Sequence, residues 1–121
     1  REAHRLGLLV YMWYLGDLMP LLPDLALMEV DGLFPEQGRK GYEVDLGEVR
    51  RQVGDRMCLI GFNDEEHMIA GRRRALRRAM QRQIDAAGRD GAFLFSSSML
   101  DSNVHPDTVD FFCQKVAECR S

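Results

Sequence analysis

Four short apolar runs, each followed by a stretch of helical periodicity, constrain this chain more than any other feature. The runs cover residues 8–14, about 32–35 (entered through Val30-Asp31), 57–62 and 92–96. Half-exposed antiparallel strands alternate apolar and polar residues. Uninterrupted runs instead suit strands covered on both faces, as in parallel sheets. A β–α alternation implies right-handed crossovers and a parallel sheet, so the expected class is α/β.

The helices between the runs carry clear start and stop signals. Asp45-Leu46-Gly47-Glu48 has capping-box spacing, with Asp45 as N-cap and Glu48 reaching back, and the helix stops at Gly54. The next, from about Arg72 to Ala87, lines Leu76, Met80, Gln83, Ile84 and Ala87 along one side and ends at Gly88. In the last, Pro106 stands at the first helical position, and Val109, Phe112, Cys113 and Val116 recur at i, i+3, i+4, i+7. Pro20 and Pro23 delay the helix that follows the first run. Arg1 to Gly7 reads as the last turns of a helix and its glycine stop, so the chain is expected to start within a domain.

At 121 residues the length fits one domain. Four βα units make half of a TIM-type (β/α)8 barrel, which typically needs roughly 250 residues. A small doubly wound α/β domain is the alternative architecture. A half-barrel alone leaves two unpaired edges and an uncovered inner face. It is therefore expected to belong to a longer protein or to pair with a second half.

Net charge is −3, so no global field draws the chain to nucleic acid or to an anionic membrane. The most apolar stretch, Leu6 to Leu15, is too short to span a bilayer. Cys58, Cys113 and Cys119 have no zinc-type spacing, and three cysteines do not complete a disulfide framework. Reduced thiols in a cytoplasmic protein are the expectation.

A set of motifs in fixed order then narrows the field. Gly16 and Leu21-Leu22-Pro23-Asp24-Leu25 follow the first run, and Val30-Asp31-Gly32-Leu33 leads to Pro35-Glu36. Val44-Asp45-Leu46 and Val49-Arg50-Arg51-Gln52-Val53-Gly54-Asp55 lead into Leu59-Ile60-Gly61-Phe62-Asn63-Asp64. Gly91-Ala92-Phe93-Leu94-Phe95-Ser96 and His105-Pro106-Asp107 complete the order. In combination these resemble the uroporphyrinogen decarboxylase superfamily, which includes cobamide-dependent methyltransferases, over nearly the whole chain.

The resemblance implies the C-terminal four βα units of a TIM-type barrel. It also implies small-molecule chemistry: proton-assisted loss of a carboxylate, or methyl transfer toward a corrinoid carrier. The departures are specific. The family's zinc-dependent methyltransferases carry His-x-Cys-Gly after the first of these strands, where this chain has Trp13-Tyr14-Leu15-Gly16. Their third ligand falls on Met99, so neither a metal nor another cofactor is expected here. The decarboxylases place a His in the last-strand loop, which here reads Ser97-Ser98-Met99. Their substrate-binding arginines and aspartate belong to the N-terminal half. Neither activity is therefore assigned to this chain alone.

Barrel chemistry sits at the carboxyl ends of the strands. The candidate catalytic groups are Asp64, the one polar residue of the family's Gly-Asn-x-Asp that matches in register, Phe62 taking the Asn position, and Glu36 beside Gln37. Either carboxylate there could orient substrate or move a proton. Asp64 serves equally as an N-cap for the following segment, and Lys40 stands in reach of Glu36. Trp13, Tyr14, Asp17, Glu36, Asn63, Asp64, Ser96 and Ser98 are the candidate substrate-binding residues. The plainer reading of Trp13 and Tyr14 is buried aromatic packing.

The serines lack a nucleophile elbow and a His partner, so hydrogen bonding is their expected role. His67 and His105 are isolated, on a helix or turn surface and at a cap region, and His4 is expected to be exposed. Arg72, Arg73, Arg74, Arg77, Arg78 and Arg82 fall on the outer side of their helix, as a solvated face or an inter-subunit contact.

The expected partners are a small-molecule substrate and either a second copy or an N-terminal half-barrel, with neither nucleic acid nor membrane. A non-catalytic module that dimerises through its open sheet edges is the competing function, and an arginine-helix nucleic-acid binder is a remote third.

Overall fold

In the computed structural model, which describes residues 1–35, 41–62, 65–89, 91–96 and 102–119, four strands form one sheet. β1 (Tyr11–Tyr14), β2 (Gly32–Pro35), β3 (Cys58–Phe62) and β4 (Phe93–Ser96) lie side by side in sequence order, every neighbouring pair parallel. The α/β class and the parallel sheet are as the apolar runs indicate.

The described helices are α1 (Glu2–Arg5), α2 (Leu22–Ala26, entered through a 3₁₀ turn at Met19–Leu21), α3 (Leu46–Val53), α4 (Glu65–Ile69), α5 (Arg73–Gln83) and α6 (Pro106–Glu118). α5 continues into a π-helical turn, Ile84–Gly88, before β4. Only α4 has no counterpart in the sequence reading, because five residues are too few to show a period.

Local chemistry explains the helix ends. The Asp45 side chain accepts from the Glu48 amide at 3.0 Å, and Gly54 ends α3 at φ 63°. Only half of the expected capping box forms: Glu48 turns along the helix instead, to Gln52 at 2.9 Å and Arg51 at 2.5 Å. α6 opens with Pro106 in its first turn and with His105 Nδ1 accepting from the Asp107 amide at 3.2 Å. Cys113 is exposed, against the expected apolar stripe; Phe112 carries the burial there, with Val109 and Val116 packed beside it.

Strand register sorts the side chains into two faces. Met12, Leu33, Leu59 and Phe93 form one cross-strand row. This row packs against Leu22 and Leu25 of α2, Val49 and Val53 of α3, and Ala87. Phe95, on the same face, joins Leu76, Met80 and Phe112 of α5 and α6, meeting the Phe112 ring edge-on at 6.3 Å.

The opposite face carries Tyr11, Gly32 and Cys58 in one row, and Trp13 and Phe34 in the next, with Ile60 paired to Leu94. Trp13 stacks on Phe34 at 5.7 Å and 16°. Tyr11 is 65% exposed, Leu94 56% and Trp13 48%. The expectation of a sheet covered on both faces is thus corrected: among the described residues, the helical cores pack against one face only.

One buried cation ties the elements together. Arg50 is 3% exposed and sits on the apolar stripe of α3 beside Leu46, Val49 and Val53. Its Nε donates to Ala87 O at 2.9 Å, Nη1 to Gly54 O at 2.7 Å and Met57 O at 2.9 Å, and Nη2 to Ala92 O at 2.7 Å. One guanidinium therefore satisfies carbonyls at the end of α3, at the entries to β3 and β4, and in the π turn. The five-donor planar fork suits this, and an ammonium does not.

Arg50→Met should destabilise the chain by about 3–5 kcal/mol in denaturant unfolding, because it strands buried carbonyls. Arg50→Lys should recover only part of that loss, while exposed Arg51→Met should stay within about 0.5 kcal/mol of the parent. A Cβ at Gly61 would run into Gln83 Oε1 and the Phe93 ring. Gly61→Ala should therefore cost about 1–3 kcal/mol by overpacking.

Candidate functional site

All four strands are parallel, so their carboxyl ends share one edge of the sheet, at Tyr14, Pro35, Phe62 and Ser96. Of the residues singled out from sequence, Trp13, Tyr14, Asp17 and Ser96 are described. Glu36, Gln37, Lys40, Asn63, Asp64, Ser97, Ser98 and Met99 lie outside the described residues.

Trp13 and Tyr14 diverge, as neighbours on a strand must. Tyr14 is half-buried and packs on the helix side against the core that holds Leu18 and Leu22, which matches the packing reading. Trp13 does not: its ring lies on the open face, half exposed and stacked on Phe34. Asp17 caps the turn into α2, its Oδ1 accepting from the Met19 amide at 3.1 Å. Ser96 ends β4, half-buried and paired in register with Phe62. By pleat alternation it shares the open face with Leu94 and Trp13. β1 and β4 are the two edges of the sheet, three strand spacings apart, or about 14 Å. Trp13 and Ser96 therefore stand at opposite edges of one face without touching.

The open face has further members that the sequence did not single out. Phe34 supports Trp13, and Cys58 lies beside Tyr11 across Gly32. A Cβ at Gly32 would stand 3.3 Å from both the Tyr11 Cβ and the Cys58 carbonyl oxygen, so glycine there lets the aromatic row close up. Desolvation by burial pushes the Cys58 thiol above its ordinary range, with nearby Arg50 opposing that weakly. The thiol is therefore a poor nucleophile at neutral pH. The signal for these residues was the continuity of the apolar runs, which cannot say which face is left open.

His105 is a cap, and His67 sits half-buried in α4. His4 Nε2 lies 2.8 Å from Asp31 Oδ2, which also accepts from the Val10 amide at 2.7 Å. This contact pins α1 to the amino-terminal edge of the sheet, opposite the candidate mouth. The Val10 amide first, and then the His4 hydrogen bond, hold the Asp31 carboxyl below its ordinary range.

Among the described residues no group of three or more His, Cys, Asp or Glu side chains is placed to hold a metal ion, and no helix is long and apolar enough to cross a membrane. Compared with protein-family models and with curated proteins, the chain matches none.

Two outcomes follow. A folded-state pKa depressed below the unfolded value adds stability that is present above the unfolded pKa and lost as pH falls through the folded one. Asp31 should therefore titrate below an ordinary aspartate by NMR, and Asp31→Asn should flatten the acid limb of the stability profile. Cys58 should react more slowly with a thiol reagent than exposed Cys113, as read by mass spectrometry of the labelled chain.

Proposed function

We propose that the chain is the carboxyl-terminal half of a (β/α)8-type barrel of the uroporphyrinogen decarboxylase kind, contributing one side of a small-molecule site at the strand ends. The observation that carries this reading is the sheet itself. Strands run β1-β2-β3-β4 in parallel, with the helical cores packed on one face and an aromatic row on the other. A doubly wound domain reverses its strand order to place helices on both faces. An unbroken progression in one direction is what a barrel quarter-turn or half-turn requires.

On this reading the open face, with Trp13, Phe34, Ile60 and Leu94, is the barrel interior. A second half, either a copy of this chain or an amino-terminal half-barrel, completes the wall. Glu36 and Asp64 are the groups that move a proton or accept hydrogen bonds from N–H groups of the substrate. Asn63, Ser96 and Ser98 supply hydrogen bonds and Trp13 borders the pocket, while Tyr14 and Asp17 hold the wall behind it by packing and capping. The resemblance offers decarboxylation or corrinoid-linked methyl transfer as the chemistry. Trp13-Tyr14-Leu15-Gly16 in place of His-x-Cys-Gly favours the first, since the indole and isobutyl groups at the two ligand positions are no zinc ligands. A non-catalytic assembly module is the second reading, and it draws on the same exposed aromatic face.

Ligand binding separates the two. Trp13 is the single tryptophan, so its emission reports directly on the proposed interior. Titration with a polycarboxylated porphyrin should quench Trp13 saturably. Glu36→Gln with Asp64→Asn should weaken that binding at least tenfold without lowering the melting temperature. Absence of saturable quenching in an assembled, cooperatively melting sample would leave the assembly module standing instead.

A further inference from the structure

We propose that the groove between α5 and α6 docks an acidic peptide segment of a protein partner, with carboxylates at alternate positions. The groove, of about 470 Å³, is lined by Arg73, Arg74, Arg77, Arg78, Phe111 and Lys115. All four arginines are exposed. Among the described residues, no carboxylate stands within ion-pair reach of any of them. Several exposed cations elsewhere are paired, Arg1 with Glu29, Arg5 with Glu2, Arg51 with Glu48 and Arg89 with Asp85, and within the groove Lys115 is held by Glu118 at 2.6 Å.

The arrangement works against the helix that carries it. α5 opens at Arg72 with no side-chain cap and no acidic residue in its first turn. Guanidinium groups thus crowd the positive end of the helix dipole, where carboxylates are favoured. Arg73 and Arg77, and Arg74 and Arg78, are i,i+4 like-charge pairs, which also destabilise a helix. A local choice that opposes the fold marks a place where something other than folding selects the residue.

The groove is also organised. The Arg73 guanidinium and the Lys115 ammonium each lie 5.6 Å from the centroid of the Phe111 ring, which holds a cation from each helix at the groove floor. Arg73 reaches across to Asp107 O at 3.5 Å. Arginines four apart on a helix rise about 6 Å. Alternate side chains of an extended peptide are about 6.7 Å apart and point the same way. Each arginine row thus matches two carboxylates of an extended acidic strand, and the guanidinium fork binds a carboxylate bidentately.

Charge favours a peptide over a nucleic acid. The chain as a whole is −3 with a pI near 5.6, whereas nucleic-acid-binding domains are basic overall. The Phe111 ring is engaged by two cations rather than held out for base stacking.

The test is fluorescence anisotropy of the full chain with a labelled octapeptide alternating Glu and Gly. Saturable binding that weakens as salt rises is expected, while the Gln-for-Glu peptide does not bind. Arg74→Glu combined with Arg77→Glu should lower affinity at least tenfold, and Arg51→Glu should leave it unchanged. Changing all four arginines to lysine keeps the charge and should still lose several-fold, because the bidentate fork is gone.

The single variant Arg74→Glu gives a readout that a structural role cannot mimic. It should weaken binding yet raise the melting temperature, by relieving the dipole conflict and pairing with Arg78. Equal binding of the neutral peptide, or unchanged affinity in the double reversal, would overturn the proposal. So would a single-stranded oligonucleotide that binds more tightly than the peptide and is lost on the same variants.

Discussion

Every crossover in this chain steps to the next strand in the same direction, and much of the structure follows from that constraint. Right-handed β–α–β connections that never reverse place their helices on a single side of the sheet. The side chains behave accordingly: Leu33 and Leu59 are fully buried and Phe93 and Phe95 half-buried on the helix side, while Tyr11, Trp13 and Leu94 are exposed. Strands this apolar on both faces are costly to leave half bare. On the proposed reading, this Tyr11, Trp13 and Leu94 face is the one that a second wall would cover.

Within the covered half, Arg50 sets how the βα units join. A buried cation without compensation is expensive, but this one is surrounded by main-chain carbonyls that would otherwise need donors of their own. It closes the end of α3, receives the chain as it enters β3 and β4, and anchors the π turn between them. Gly91 follows from it, since a Cβ there would stand 2.5 Å from Arg50 Nη1. One long side chain thus fixes the relative heights of two adjacent strands, and with them the level of their carboxyl ends.

The fold was largely legible because its signals are local and redundant. Asp45, Gly54, Pro106 and the four apolar runs each state an element boundary in backbone chemistry, and the structure honours them within a residue or two, except that β1 begins at Tyr11 rather than Leu8. Arg50 was visible in retrospect, as the one charge on the 46-49-50-53 stripe of α3, but a helical wheel cannot show four carbonyls converging from other elements. The split between Trp13 and Tyr14 needed the register. Alternation says that they face opposite ways, and only the position of the helices says which one is buried. The candidate site was legible as an edge of the sheet rather than as a pocket. Tyr14 and Ser96 reach that edge by strand position and Asp17 by the turn that follows β1; Tyr14 packs on the core and Asp17 caps the turn into α2.

The proposal makes the Trp13 face an interior surface that a second half covers, and Trp13 itself can test it. Its emission and its quenching by acrylamide should be followed against concentration, alongside molar mass by light scattering and a thermal melt. The account predicts that any species with a cooperative melt is larger than the monomer and has blue-shifted, poorly quenched Trp13. A monodisperse 13.8 kDa monomer that melts cooperatively, with Trp13 as quenchable as free indole, would contradict it.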